Sequence, residues 1–167
     1  MKTMPLAVLT IVAGGVIGGC ASASVTSPSS AAATSVCQSI SRVDRLDAKR
    51  TDALPQNQSH FTFATDISTS DATQVQVAVQ ALCALPAMPT GAIFCPADFG
   101  ITYQLTFDAG ATQFPTVTVD PSGCQTVRGL GTTVAWATTS PGFWPTLGAA
   151  LGLPHPTAAD FAGTRPG

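Results

Sequence analysis

The chain has 167 residues, enough for one domain. Only 10% of them are charged, and the nine acidic residues are all aspartate, so the composition excludes a basic nucleic-acid surface and a long charged tail. Apolar residues make up 45% of the chain, which excludes wholesale disorder, while 13 prolines and 15 glycines predict many turns.

The N-terminus has the pattern of a secretory leader. Lys2 precedes an uncharged apolar run over residues 5–19, which is too short and too rich in glycine for a typical membrane span. Residues 17–20 read Ile-Gly-Gly-Cys, which resembles the lipobox of bacterial lipoproteins. The resemblance implies that the sulfur of Cys20 receives a diacylglycerol and that cleavage makes Cys20 the first mature residue. The open alternative is a plain signal peptide cut nearer Ala23.

The chain divides into four expected segments: a lipoprotein signal peptide at 1–19, the lipidated Cys20 with a flexible tether at 20–36, a single domain at 37–153, and a loose tail at 154–167. The tether carries no charge and shows no hydrophobic period, which is typical of a solvated linker. Two acyl chains anchor a protein stably. We therefore expect attachment to the extracytoplasmic face of the cell membrane through the lipid on Cys20.

The first elements of the domain follow from charge pattern and periodicity. Charged residues of both signs crowd the stretch from Arg42 to Asp52, as is typical of a solvated strand and loop. Phe61, Phe63 and Ile67 recur with a period of two and predict a strand. A helix is expected next, capped at Ser70 or Asp71, with apolar residues at spacings of three and four up to Leu85, and ended by Pro86.

The second half of the domain alternates strands and turns and closes with a helix. Apolar residues at alternate positions predict three strands: Ile101 to Phe107, Val117 to Val119, and Leu130 to Trp136. Phe143, Trp144, Leu147 and Leu151 share one side of a short final helix, with Ser140 as its cap. Hairpin-length connections favour the α+β class, with an antiparallel sheet of four to five strands and two helices on one face.

Apart from Cys20, the chain has an even number of cysteines: Cys37, Cys83, Cys95 and Cys124. In an exported protein this favours two disulfides, for which three connectivities are possible. If the turn at residues 108–111 folds its flanking strands together symmetrically, Cys95 faces Cys124, although the burial of the valines on the returning strand needs a one-residue offset such as a bulge. We favour Cys95 with Cys124 and, by elimination, Cys37 with Cys83.

The sequence shows no catalytic or metal-binding arrangement. No cysteine pair has the CxxC spacing of zinc sites, and no GxSxG motif frames a serine. His60 adjoins a predicted strand, and His155 lies between two prolines of the expected tail. Three aspartates stand beside predicted turns, where aspartate commonly caps backbone amides: Asp98, Asp108 and Asp120. We expect a non-enzymatic protein without metal or cofactor.

Two classes of function remain open. One is a binding module for an unknown envelope protein or ligand, with Tyr103, Trp136 and Trp144 as aromatic candidates for contact or for the core. Residues 95–100 read Cys-Pro-Ala-Asp-Phe-Gly, and together with Gly123-Cys124 and Phe143-Trp144 they resemble a family of uncharacterised secreted lipoproteins from high-GC Gram-positive bacteria. The resemblance spans roughly residues 38 to 153, and it implies location and fold but no activity.

The Cys-Pro pair also resembles subtilisin-inhibitor-like proteins, in which such a pair precedes the protease-binding loop and the cysteine is bridged to a later one. This likeness implies an inhibitory loop formed by Phe94, Cys95, Pro96, Ala97 and Asp98, with Ala97 entering the specificity pocket of a protease. Two features depart from that family. Asp98 would follow the scissile position, and Cys83 lies at the end of a helix, whereas the inhibitors' other bridge is more local.

Overall fold

The long strand Ile101–Ala109 holds the centre of the molecule. A computed structural model describes residues 34–52, 54, 59–131 and 133–163, so the expected leader, the Cys20 anchor and most of the tether lie outside the described residues. Two 3₁₀ turns, Val36–Gln38 and Ile40–Arg42, precede these elements: β1 Arg45–Asp52, β2 Asp66–Thr69, α1 Ala72–Cys83, β3 Ile101–Ala109, β4 Thr112–Gln113, β5 Val117–Val119, β6 Thr126–Arg128, β7 Ala135–Trp136, α2 Phe143–Ala150 and α3 Ala158–Phe161.

The strands form one antiparallel sheet in the order β2, β1, β3, β5, β6, β7, with β4 paired to the far end of β3. All eight residues of β1 pair with β3, from Arg45 opposite Asp108 to Asp52 opposite Ile101. The predicted α+β class is therefore confirmed. The described sheet has seven strands instead of four or five, and a third helix joins the two that we expected.

One face of the sheet is buried and the other is polar. The register places Leu46 opposite Phe107 and Leu105 opposite Val117, and all four side chains are fully buried. Apolar residues of the three helices complete the same core cluster: Val75, Ala78, Val79 and Leu82 of α1, Phe143, Trp144, Leu147 and Ala150 of α2, and Phe161 of α3. The helices thus cover one face, and strand alternation leaves the polar residues on the other.

Helix α1 begins and ends where its sequence predicts. The carboxylate of Asp71 accepts hydrogen bonds from the backbone N–H groups of Thr73 and Gln74, both at 3.1 Å, and satisfies donors that a helix leaves unpaired. The helix ends at Cys83, three residues before Pro86. None of the described helices is long and apolar enough to cross a bilayer.

The edges of the sheet are short. Strand β2 has four residues and, within the described chain, pairs along one side only. Strand β7 has two residues, and its outer side is covered by an isolated bridge from Ala135 to Ala87 and by a hydrogen bond from the Trp136 N–H to the Pro86 carbonyl at 2.8 Å. Of the strand expected from Leu130 to Trp136, only the last two of its described residues form a strand, β7, and the sequence does not predict the short strand β6 before Leu130. Strand β6 carries one core residue, Val127, between Thr126 and Arg128, too few to produce a visible period.

The strand expected across Phe61 and Phe63 is also wrong, because only Asp66–Thr69 pairs. Arg50 causes the difference. Its guanidinium carbon lies 3.6 Å from the ring centroid of Phe61, and its Nη1 donates to the carbonyls of Phe63 and Ala64, both at 3.4 Å. The backbone of this segment therefore serves a buried cation instead of a strand partner.

The expected loose tail contains a packed helix. Thr157 and Asp160 form a capping box that starts α3, and the Thr157 hydroxyl hydrogen bond lowers the pKa of the Asp160 carboxyl. Phe161 is fully buried against Trp144, with ring centroids 5.1 Å apart. Four residues are too few to show a helical period, so the sequence gives no amphipathic signal for this element.

We predict that Phe161→Ala lowers the free energy of unfolding by about 3 to 5 kcal/mol, because it leaves a cavity between α3 and the sheet. The matched control is Phe94→Ala, which should change stability by no more than ~0.5 kcal/mol because the Phe94 ring is 95% exposed. Urea unfolding of both full-length variants measures the difference. Equal stability of the two variants would mean that α3 is not part of the core.

Candidate binding loop

Two disulfides fasten the domain, with the same partners that the sequence favours. Cys37 pairs with Cys83 and joins the first 3₁₀ turn to the end of α1, with Cα atoms 5.6 Å apart. Cys95 pairs with Cys124 at a Cα separation of 4.8 Å. The symmetric register expected around residues 108–111 is wrong, since Ala109 lies opposite Thr112 and Leu105 lies opposite Val117, which moves the paired valines three residues away from the register of the two cysteines. The second bridge therefore ties the segment before β3 to the segment before β6.

The segment from Phe94 to Asp98, which we call the binding loop, stands out from the surface at this bridge. It has no helical or strand structure. Phe94 is 95% exposed, and Pro96, Ala97 and Asp98 are also exposed. Among the large apolar side chains of the described residues, only Leu54 and Val77 are exposed besides Phe94, at 37% and 43%. The loop thus offers an aromatic ring to solvent.

Ser122 fixes the binding loop through two hydrogen bonds. Its hydroxyl donates to Asp98 Oδ1 at 2.8 Å and accepts from the backbone N–H of Phe99 at 3.0 Å. Asp98 Oδ1 also accepts from the backbone N–H of Gly100 at 2.9 Å. Ser122 is only 7% exposed, so its own two bonds are partly sheltered from water, whereas the bond between Asp98 and Gly100 is exposed. Together with the disulfide, they fix both the carboxylate and the backbone that follows it.

A second contact fixes the backbone at Ala97. The backbone N–H of Gly123 donates to the Ala97 carbonyl oxygen at 3.1 Å. Gly123 has φ of 58°, where glycine is favoured, and a Cβ on it would lie 3.3 Å from Asp98 Cβ. Glycine therefore allows both the turn and the close approach. Gln125, two residues on, also has a left-handed φ of 50°.

A shallow cleft of about 310 Å³ lies between the binding loop and α3. Its walls are mostly small or apolar: Pro96, Ala97, Phe99, Pro121, Gly123, Ala158, Ala159 and Ala162. Gln125 also lines the cleft, and its side-chain Oε1 accepts a hydrogen bond from Trp144 Nε1 at 3.0 Å. The cleft is thus apolar with one fixed amide, a composition common in sites that bind ligands or peptides.

Acidic groups surround the loop. Asp120 Oδ2 lies 2.6 Å from Arg128 Nη1, and Asp52 Oδ1 lies 3.4 Å from Arg50 Nε. Among the described residues, Asp98 has no ion pair, and its Oδ2 accepts no hydrogen bond. The Asp98 carboxylate therefore has no basic partner among the described residues, and it lies four residues along the chain from the exposed ring of Phe94.

The aromatic candidates lie away from solvent. Tyr103 is 2% exposed, its hydroxyl donates to the Phe161 carbonyl at 2.8 Å, and burial raises the pKa of its phenol. Trp144 is 3% exposed, whereas Trp136 is half-buried on the edge strand. Tyr103 and Trp144 thus belong to the core. Phe94, which the sequence marks only as one end of the candidate loop, is the aromatic residue at the surface.

The other candidates do not assemble a reactive centre. His60 and His155 are exposed, and Asp108 lies 4.0 Å from Arg45 Nε. Within the described residues, no three side chains of His, Cys, Asp or Glu lie close enough to hold a metal ion. Comparisons of the chain with protein-family models, with curated proteins and with solved structures find no match.

We predict that Ser122→Ala loosens the binding loop. Removing the hydroxyl leaves the Phe99 N–H without its sheltered acceptor and should cost about 1 to 3 kcal/mol of stability. Hydrogen exchange of the Phe99 and Gly100 amides in the full chain should become faster than in the Ser70→Ala control, which changes an exposed serine before α1. Unchanged exchange at both amides would show that the disulfide alone fixes the loop.

Proposed function

We propose that the protein is an extracytoplasmic lipoprotein, anchored in the cell membrane through the lipid on Cys20, that serves as a non-enzymatic binding module of the cell envelope. The lipobox-like residues 17–20 support the anchor, and two disulfides suit an oxidising compartment. The similarity of residues 38–153 to secreted lipoproteins of high-GC Gram-positive bacteria supports the same location.

The observation that carries the binding proposal is the 95% exposure of Phe94 on a loop fixed by a disulfide and by hydrogen bonds. An exposed aromatic ring is costly in water, and aromatic residues supply much of the energy of protein interfaces. A loop that is already ordered loses little conformational freedom when a partner binds. The binding loop therefore combines an anchor side chain with a preorganised backbone.

Protease inhibition of the subtilisin-inhibitor type is the second candidate. The exposed Ala97 beside the Cys95–Cys124 bridge favours it. The orientation of the Ala97 carbonyl makes inhibition the less favoured candidate. In an inhibitory loop, the carbonyl of the residue in the specificity pocket is offered to the protease's oxyanion donors. Here that oxygen already accepts from the Gly123 N–H at 3.1 Å and is turned toward the body of the domain.

A titration separates the two candidates. We expect that full-length protein purified from native membranes in mild detergent does not slow subtilisin or trypsin at micromolar concentration. The Ala97→Lys variant should be equally inactive against trypsin, although lysine would suit the specificity pocket of that protease if Ala97 were the recognised residue. Stoichiometric inhibition of subtilisin by the native chain, or of trypsin by the variant, would replace the binding-module proposal with inhibition.

Fractionation of the native host tests the anchor. We predict that Cys20→Ser releases the protein from the membrane fraction, because serine has no thiol to carry the diacylglycerol that supplies the apolar attachment. The matched control is Ser29→Ala, a change in the tether that leaves Cys20 in place and should leave the protein in the membrane. Membrane retention of Cys20→Ser, together with an unmodified residue 20 in the mass spectrum of the native protein, would contradict the lipid anchor.

A further inference from the structure

The pairing of the strands gives the domain two distinct ends. At one, which we call the tether end, Arg45 lies opposite Asp108, and Ser35 donates from its hydroxyl to the Leu130 carbonyl at 2.7 Å. Residues 20–33 would join the chain here, through Thr34. At the other, which we call the loop end, Asp52 lies opposite Ile101, and Cys124 precedes β6.

The binding loop lies at the loop end, because Cys95 is bonded to Cys124 and the loop leads into β3 through Phe99 and Gly100. Strand β1 spans the distance between the two ends with eight residues, about 23 Å at about 3.3 Å per residue. The tether and the loop are therefore at opposite ends of the sheet. Phe94 therefore belongs to the end of the sheet opposite the one where the described chain begins.

The loop end also gathers exposed apolar surface. Leu54, which is 37% exposed, packs its side chain against the backbone of Gly100, so two of the three exposed large apolar residues in the described chain lie at this end. The cleft wall formed by Pro96, Ala97 and Phe99 adds apolar surface within five residues of Phe94 along the chain. Aromatic residues are enriched at the centre of protein interfaces.

The charge at the loop end limits which partner fits. Asp98 has no basic partner among the described residues, and Arg50 and Arg128, which stand near the ends of β1 and β6, are each paired with another aspartate. A second copy docking through the same surface would bring two unpaired carboxylates together, and anionic lipid would repel them. A basic protein surface is complementary.

We propose that the loop end docks a protein of the extracytoplasmic space that has an apolar pocket for the Phe94 ring and a lysine or arginine beside that pocket to meet Asp98. This inference rests on the proposed binding function and names the chemistry of the partner. The ring supplies most of the attraction by leaving water, and the carboxylate orients the complex and makes its formation sensitive to salt.

Photocrosslinking of the full chain in its native host tests the proposal. p-Benzoylphenylalanine replaces Phe94 in one strain and the exposed Val77 of α1 in a control strain. We expect a protein adduct from position 94 that position 77 does not give. A further strain carries Asp98→Asn together with the crosslinker at position 94. In isolated membranes with their bound proteins, this substitution should lower the yield of the position-94 adduct about fivefold, the factor equivalent to one exposed ion pair, and high salt should lower it by the same factor.

The variants keep the structure constant while the charge changes. Asparagine at position 98 retains an oxygen that accepts from Ser122 and Gly100, so the loop keeps its hydrogen bonds. Asp66→Asn, which removes an exposed carboxylate of β2, is the charge control and should leave the yield unchanged.

The alternative outcomes separate this inference from the proposed function. Adducts with lipid or with a second copy of the chain, or a protein adduct indifferent to salt and to Asp98→Asn, would overturn the basic partner while leaving the loop as the binding element. Absence of any adduct specific to position 94 would overturn both.

Discussion

The covalent bond between Cys95 and Cys124 is the constraint on which the candidate site depends. It joins residues 29 apart in sequence. It thereby ties the segment before β3 to the turn between β5 and β6 at one end of the sheet. A loop of this size contributes roughly 3 to 4 kcal/mol in the chain-entropy model. The bond also places Pro96 and Ala97 beside the turn at residues 121–124. Ser122 and Gly123 make their hydrogen bonds to the loop from this turn.

Arg50 organises the other half of the loop end. It is 8% exposed, and burying a guanidinium is costly unless its charge and donors are met. Carbonyl oxygens and the hydroxyl of Thr65 at 3.3 Å accept hydrogen bonds from its two terminal nitrogens, and the carboxylate of Asp52 and the ring of Phe61 meet its charge, while its Nε makes no hydrogen bond among the described residues. The same aromatic cluster continues through Phe63 to Tyr103 and Phe161. One buried cation thus connects β1, an irregular segment and α3.

Much of the fold is predictable from the sequence because local signals and burial agree there. In α1 the Asp71 cap and the apolar spacing select the same helix, and in β3 four alternating apolar residues select a strand. The sequence misleads at Phe61 and Phe63, where the alternation is real but the partner is a side chain from β1. The sequence gives no signal for strand β6, because its three residues take their structure from pairing with β5.

Some features of the candidate site are likewise predictable from the sequence and others are not. The even cysteine count and the hairpin favour the bridge, because both depend on chain order, whereas the five residues of the loop come from the likeness to subtilisin-inhibitor-like proteins. The role of Ser122 has no such signal, because its two bonds reach residues more than twenty positions earlier. Nor does the sequence reveal that α3 faces the loop, or that Phe94 lies outside the core while Tyr103 and Trp144 lie inside it.

The limited edges of the sheet matter for a chain that we propose is anchored on a membrane. A sheet exposes unpaired backbone groups along its outermost strands, and these invite pairing with neighbouring molecules. Strand β2 offers only four residues at one edge, and at the other edge the outer side of β7 is already covered by residues 86–88. Neighbouring copies can then remain separate molecules instead of stacking into fibrils, so contact with other proteins is made by side chains.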